Sequence, residues 1–186
     1  MTTRKVLVIG DGPGGLSAAL LLAKNGFEVS VYGQDKTAMH FALLKNYLGV
    51  DEMHGSTFQK MARRQVKAYG AVLKDERVES LVAHDDGYQL TTESGATDRA
   101  PYVILSEGKG PRLATALGLE HDSNTGIAVD RNGLSKLDRV YVVGRSVRPG
   151  RSQAIISAGD GAAAAIDILS REKGEPFTDW DSPPEQ

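Results

Sequence analysis

No cysteine occurs anywhere in these 186 residues. That excludes disulfides, thiolate metal sites and any dithiol redox centre within the chain. An excess of basic charge is missing too. The chain has 22 Lys and Arg against 24 Asp and Glu, a formal net charge of -2, with both signs interspersed. Neither a nucleic-acid-binding face nor a polybasic membrane-binding run stands out, so no nucleic-acid and no membrane partner is expected. No apolar run approaches the roughly 20 residues that cross a bilayer. The first residues lead into a strand-like run rather than a signal-peptide pattern, and the cytoplasm is the expected compartment. The four histidines, His40, His54, His84 and His121, are scattered without metal-ligand spacing and read as surface residues. Asp85-Asp86-Gly87 reads as a turn, so no metal site is expected. There is no internal repeat.

What the chain does have is concentrated near its start. Residues 6–15 read Val-Leu-Val-Ile-Gly-Asp-Gly-Pro-Gly-Gly. A short buried strand runs straight into Gly10, Gly12 and Gly15 in G-x-G-x-x-G spacing, and a helical apolar pattern follows at once. That strand–turn–helix context is what a dinucleotide fingerprint requires. In such a loop Gly10 permits the tight turn, Gly12 lets a pyrophosphate approach the backbone, and Gly15 lets helix and strand pack closely. The first-turn N–H groups then face the phosphates, which the helix dipole also favours.

The rest reads as one α/β domain. A first helix is expected over Pro13–Asn25, with proline at its first position and Gly26 as its stop. Phe27–Tyr32 reads as the second, parallel strand of a βαβ unit. Residues 33–55 show no periodicity, and a connection that long is often functional. A second helix is expected over Ser56–Tyr69, capped by Ser56 or Thr57. Its apolar side is Phe58, Met61, Ala62, Val66 and Tyr69, and Arg63, Arg64 and Lys67 form a solvated face. Between residues 71 and 105 the pattern suggests short antiparallel strands at Val72–Leu73, Val78–Ala83, Tyr88–Thr92 and Tyr102–Leu105. Gly108–Asn124 reads as irregular. Strands are expected at Gly126–Val129 and Arg139–Val143. A last helix is expected from Ser152, its N-cap, to about Glu172, with Gly174 as its stop. Gly159 and Gly161 inside it cost about 1 kcal/mol each against alanine, which points to close approach of another backbone or a ligand. The tail from Pro176 reads as a loosely held extension.

Several segments together resemble the FAD domain of bacterial-type thioredoxin reductases, nearly end to end and in that family's order. Val6–Gly15 is similar to the first strand and glycine loop, and Val29–Asp35 to the second strand and ribose-side turn. Asn46-Tyr47-Leu48-Gly49 resembles the Asn-aromatic-Pro-Gly loop beside the flavin. Val103–Gly108 stands where Ile-Leu-Ala-Thr-Gly is usual, and Arg139–Gly144 resembles the late strand before the flavin. Ser152–Gly159 is similar to the Arg-Gln-Ala-Ile helix start over the flavin pyrimidine. The resemblance implies a three-layer FAD/NAD(P)-binding Rossmann-like domain, with a central parallel sheet and a small antiparallel β-meander. It implies FAD as cofactor, one FAD-binding domain over residues 1–175 in halves 1–110 and 125–175, and a tail at 176–186. The implied cofactor-binding residues are Gly10, Gly12, Pro13, Gly14, Gly15, Asp35, Asn46, Val78, Gly108, Gly144, Arg145, Ser152, Gln153 and Ala154. Val78 would lie beside the adenine, touching it through its backbone. The N–H groups of Gln153 and Ala154 would face the flavin pyrimidine.

The departures matter as much. The family carries an NADPH-binding domain with its redox dithiol between the two halves; here only Pro111–Thr125 lies between them. Gly33 ends the second strand where many FAD proteins place a ribose-binding acid, though glycine also occurs there in this family, and Asp35 is the nearest acid. Arg145 replaces an Asp that holds the ribityl chain, Ser152 an Arg, and Leu48 a proline. Arg145, Arg148 and Arg151 read either as a positive rim or as plain solvent charges. No general acid–base system is visible, and no catalytic residue can be named. The implied function is an oxidoreductase that cannot reduce thioredoxin by the family's own route. Its expected partners are an electron donor and acceptor, one of which can be a protein, and a second copy of the chain. A non-enzymatic FAD-binding electron carrier or sensor, and an NAD(H)-binding protein without flavin, stay open.

Overall fold

Alternation within the first strand determines the layering. β1 (Lys5–Ile9) turns Val6 and Val8 to one side and Leu7 and Ile9 to the other, all buried. A strand apolar on both faces needs cover on both. The computed structural model, which describes residues 4–183, supplies it. Five parallel strands lie in the order β12-β9-β1-β2-β5, with β2 at Glu28–Tyr32, β5 at Val72–Lys74, β9 at Tyr102–Leu105 and β12 at Val140–Val142. One face packs against helices α1 (Pro13–Lys24), α2 (Gly55–Ala68) and α4 (Ala154–Lys173), through Val6, Val8, Leu16, Val66, Tyr141 and Ile168. The other packs against the antiparallel meander β6 (Val78–His84), β7 (Gly87–Thr92) and β8 (Thr97–Ala100), and against α3 (Arg112–Ala116). Each fully buried Leu or Ile in these layers contributes about 1.5–3 kcal/mol. Two-residue strands β3 (Leu43–Leu44) and β4 (Met53–His54) close the loop before α2, and β10 (His121–Asp122) and β11 (Gly126–Ile127) pair after α3.

The expected βαβ start, central parallel sheet and meander are all present. Several expectations need correction. Val72–Lys74 and Tyr102–Leu105 belong to the parallel sheet, not to the antiparallel set. All four residues of β9 are buried, which suits a strand covered on both faces rather than a half-solvated one. A third meander strand, β8, went unread because Thr97-Asp98-Arg99-Ala100 carries little β signal. The stretch 108–124 holds α3 and β10. Neither Ser56 nor Thr57 caps α2, which begins at Gly55 with His54 as N-cap; Met61 and Tyr69 of its expected apolar side are exposed. α4 begins at Ala154 with Gln153, not Ser152, as N-cap, and ends at Gly174 in the left-handed conformation, φ 77°. The tail is held at Phe177, whose N–H donates to Ser170 Oγ (3.0 Å). It is held again at Asp179, 2.9 Å from Lys24 Nζ.

α1 and α4 pack on each other with almost no space between the first turn of α1 and the first two turns of α4. A methyl group on Gly161 would lie 2.8 Å from the carbonyl carbon of Gly14, and one on Gly14 would lie 3.0 Å from the Ser157 carbonyl oxygen. Gly161 is therefore explained by helix packing. Nothing lies within 4 Å of the same position on Gly159. The close packing brings two helix N-termini to one end of the sheet.

Candidate dinucleotide site

That end is the carboxyl end of the strands. The last residues of β1, β9 and β12 run into Gly10, Ser106 and the Gly144 turn, and between them opens a cleft of about 520 Å³. In open α/β sheets this is where ligands bind. The glycine loop shapes it. Gly10 sits at φ 104°, and a side chain there would collide with the Ser106 carbonyl. A side chain on Gly15 would collide with the Gly10 carbonyl. Gly12 is different: its missing Cβ would meet only Thr37 Oγ1, at 3.7 Å, so the loop is bare toward the cleft.

Both converging helices begin without local compensation. α1 has Gly12 as N-cap and α4 has Gln153, neither with a side-chain cap hydrogen bond and neither with an acid in its first turn. Orphan N–H groups and the positive dipole end are thus left for something in the cleft.

The residues expected from the sequence fall in three groups. Gly10, Gly12, Pro13, Gly14 and Val78 line the glycine-loop end of the cleft, and Gly108, Gly144, Arg145, Ser152 and Ala154 the rest of it. Gly15 lies behind the loop, its N–H donating to Ser106 Oγ at 3.2 Å. Asp35, Asn46 and Gln153 are off the lining. Asp35, at φ 53°, places its carboxylate 3.1 Å from His40 Nε2. Asn46 donates to the Gln153 side chain (2.8 Å) and so ties the long loop to the start of α4. Val78, though on the lining, is buried, and its carbonyl already accepts from the Arg112 guanidinium. Of the three arginines read as a rim, Arg145 lines the cleft, Arg148 is bound to Asp160 at 3.0 Å, and Arg151 is exposed on a separate turn. Tyr47 stacks on Phe58, ring centroids 5.3 Å apart.

Other residues emerge only in three dimensions. Asp11, 5% exposed, sits on the cleft wall and is paired with Arg63, so Arg63 is not part of a solvated face. Burial pushes the Asp11 carboxyl up, and the Arg63 charge opposes that shift. Gln59, fully buried on α2, donates to the Asp11 backbone carbonyl at 2.6 Å. Glu107 accepts from the N–H groups of Leu113 (2.8 Å) and Ala114 (3.0 Å) and so caps α3 beside the cleft. Burial raises its carboxyl. Lys36 and Arg77 add positive charge to the lining. None of these has a sequence signal, except that an acid between the first two glycines is conspicuous. Among the described residues no cluster of His, Cys, Asp or Glu could hold a metal ion, and no helix is long and apolar enough to cross a membrane.

Comparison with known proteins gives a consistent picture. Residues 44–161 match the family model described as pyridine nucleotide-disulphide oxidoreductase. An NADH dehydrogenase of Bacillus subtilis is 27% identical over 166 residues, covering 88% of this chain and 31% of that protein. The F component of the alkyl hydroperoxide reductase of Xanthomonas campestris is 27% identical over 169 residues, covering 88% and 30%. The chain thus spans under a third of the length of these relatives. In structure, the atypical thioredoxin reductase TRi of Desulfovibrio vulgaris Hildenborough superimposes with TM-score 0.82 at 20% identity, over 94% of this chain and 100% of that one. A thioredoxin reductase from Gloeobacter violaceus gives 0.85 at 15% identity, over 96% and 99%. At these identities the structures establish the fold, which is the thioredoxin-reductase type of FAD/NAD(P)-binding Rossmann-like domain.

Proposed function

The chain belongs to the pyridine nucleotide-disulphide oxidoreductase family, and from that premise we propose that it binds FAD in the cleft and acts as an oxidoreductase. One observation carries the reading: a glycine loop bare at Gly12 and two uncapped helix N-termini meet along a single cleft of about 520 Å³. An extended dinucleotide suits that geometry better than a compact ligand, because one helix N-terminus can receive its phosphates while the other faces a different part of it along the same cleft.

The residues then have distinct tasks. Gly10, Gly12, Pro13 and Gly14 cradle the pyrophosphate at the start of α1, with Gly15 holding the loop against the strand. Val78 borders the adenine. Gly108, Gly144 and Arg145 border the middle of the cofactor. Ser152 and Ala154 face the flavin pyrimidine. The Gln153 N–H donates to the Arg151 carbonyl at 2.9 Å and Asn46 holds its side chain, so the N–H groups free for the flavin begin at Ala154 rather than at Gln153. Bound FAD would supply the electron-transfer chemistry. The N-terminus of α4 stabilises negative charge at the pyrimidine edge by about 0.3–1 kcal/mol, and more where partly buried. The electron donor and acceptor bind outside this glycine loop, and a second copy of the chain is the expected partner.

The absorbance spectrum of the purified protein, with mass identification of released cofactor, tests the reading. Flavin bands and the mass of FAD are expected, or uptake of added FAD by colourless protein. Protein that is folded, colourless and indifferent to added FAD would overturn it.

A further inference from the structure

Many dinucleotide-binding folds draw their ribose-binding acid from the end of the second strand, about twenty residues past the glycine loop. Here that position is Gly33, which has no side chain to offer. The space is nevertheless filled. A methyl carbon built on Gly33 would lie 2.5 Å from Asp11 Oδ1 and 2.7 Å from Asp11 Cβ. A carboxylate therefore does stand at the end of β2, delivered from inside the glycine loop.

The two oxygens of that carboxylate differ. Oδ2 accepts from the Asp35 N–H at 3.0 Å and from the Arg63 guanidinium. Among the described residues no other residue donates to Oδ1, the oxygen beside Gly33, and both Asp11 and Gly33 line the cleft. The framework around Asp11 is rigid. Its backbone carbonyl accepts from buried Gln59, and Arg63 also binds Asp75, so the guanidinium stays in place. Arg63 offsets the Asp11 charge and so eases the placing of a carboxylate near a pyrophosphate.

We infer that Asp11 is the ribose-recognising acid of this site, with Oδ1 accepting the adenosine 2′-hydroxyl and Gly33 kept bare to admit it. The inference rests on the dinucleotide reading above. It also assigns a ligand class: adenosine nucleotides with a free 2′-hydroxyl. A 2′-phosphate would bring its charge against Oδ1, although Lys36 and Arg77 also line the cleft and would favour it. The two signals oppose each other, and the carboxylate has the closer position because it fills the space beside Gly33.

The test is calorimetric binding of ADP, 2′-deoxy-ADP and 2′-phospho-ADP to protein stripped of any flavin. For wild type, ADP should bind about tenfold more tightly than 2′-deoxy-ADP, as expected for a hydrogen bond to a charged acceptor. It should also bind more tightly than the 2′-phosphorylated nucleotide. Asp11→Ala should weaken ADP about tenfold, leave 2′-deoxy-ADP unchanged and narrow the preference against the 2′-phosphate. Asp11→Gly/Gly33→Glu, which removes the Cβ of residue 11 that a side chain at 33 would strike and returns the acid to β2, should restore the preference for ADP. Equal loss of ADP and 2′-deoxy-ADP in Asp11→Ala, or wild-type indifference to the 2′-hydroxyl, would overturn the assignment while leaving the nucleotide site standing. If Asp11→Ala fails to fold, the wild-type comparison of the three ligands still decides. Wild type that binds neither ADP nor FAD removes both this assignment and the site.

Discussion

At the level of single residues, the glycines of the first loop are not interchangeable. Gly10 and Gly15 face backbone, so any side chain there disrupts the fold itself. Gly12 faces open space, with only Thr37 Oγ1 at 3.7 Å from its missing Cβ. Gly12→Val is therefore expected to leave the melting temperature within a few degrees of wild type, since it crowds no backbone. It should abolish dinucleotide binding, because the side chain occupies the pyrophosphate's approach. Normal cofactor content on folded variant protein would rule the glycine-loop site out. Asp11 and Arg63 carry the opposite lesson. Spacing within α2 suggested a solvated Arg63, but a buried carboxylate from a distant loop claims it.

Among the elements, α4 decides how the cleft is built. Its two internal glycines look alike in sequence and differ in structure. Gly161→Ala would drive a methyl group into the Gly14 carbonyl, and overpacking of this kind costs about 1–3 kcal/mol. Gly159→Ala meets nothing within 4 Å and should stabilise the helix by up to about 1 kcal/mol. Denaturant unfolding of the two variants checks this, and a stable Gly161→Ala would mean that α1 and α4 can separate without cost. Because the Gly14–Gly161 contact also aligns the two helix N-termini, Gly161→Ala should weaken cofactor retention as well as the fold.

Across the whole fold, the meander is tied to the sheet by charge as well as by its apolar face. Asp98 on β8 accepts from Lys5 Nζ at 2.6 Å and from the Tyr32 hydroxyl at 2.8 Å, with Lys74 Nζ 3.3 Å away. Burial alone would raise the Asp98 carboxyl; the bonds from Lys5 and Tyr32 and the charges of Lys5 and Lys74 outweigh it and hold the group at about 2. A carboxyl depressed in the folded state stabilises above its ordinary value near 3.8. That contribution is lost as pH falls from there through about 2. Asp98→Asn should therefore melt earlier than wild type at neutral pH, and the gap should close as pH falls to that region. A gap unchanged across the acid limb would remove the ion-pair account. The chain also has a single glycine-loop fingerprint and no cysteine. It should show no dithiol exchange of its own, since that needs an attacking thiolate. Flavin bound in the proposed site should be reduced only slowly by NADPH. Anaerobic stopped-flow mixing tests this, and fast, saturable reduction at low micromolar NADPH would reveal a donor site elsewhere in the chain.

Local pattern in the chain specifies some features outright. The run Val-Leu-Val-Ile before Gly10 calls for a strand covered on both faces, and the glycine spacing after it calls for a turn that admits phosphate. The stops at Gly26 and Gly174 follow from the freedom of glycine at helix ends. The parallel pairing of β1 with β2 was legible, but which further strands join them was not, because Val72–Lys74 and Tyr102–Leu105 find their neighbours only after crossovers that bring distant segments side by side. Nor was the content of the cleft wall. Asp11 and Gly33 are 22 positions apart, Asp11 and Arg63 are 52 apart, and no periodicity links them. It takes the packed fold to put one carboxylate into the space left by a glycine and to balance it with an arginine from another helix. Burial sets the cost of that charge, and burial is a property of the packed layers rather than of any stretch of the chain.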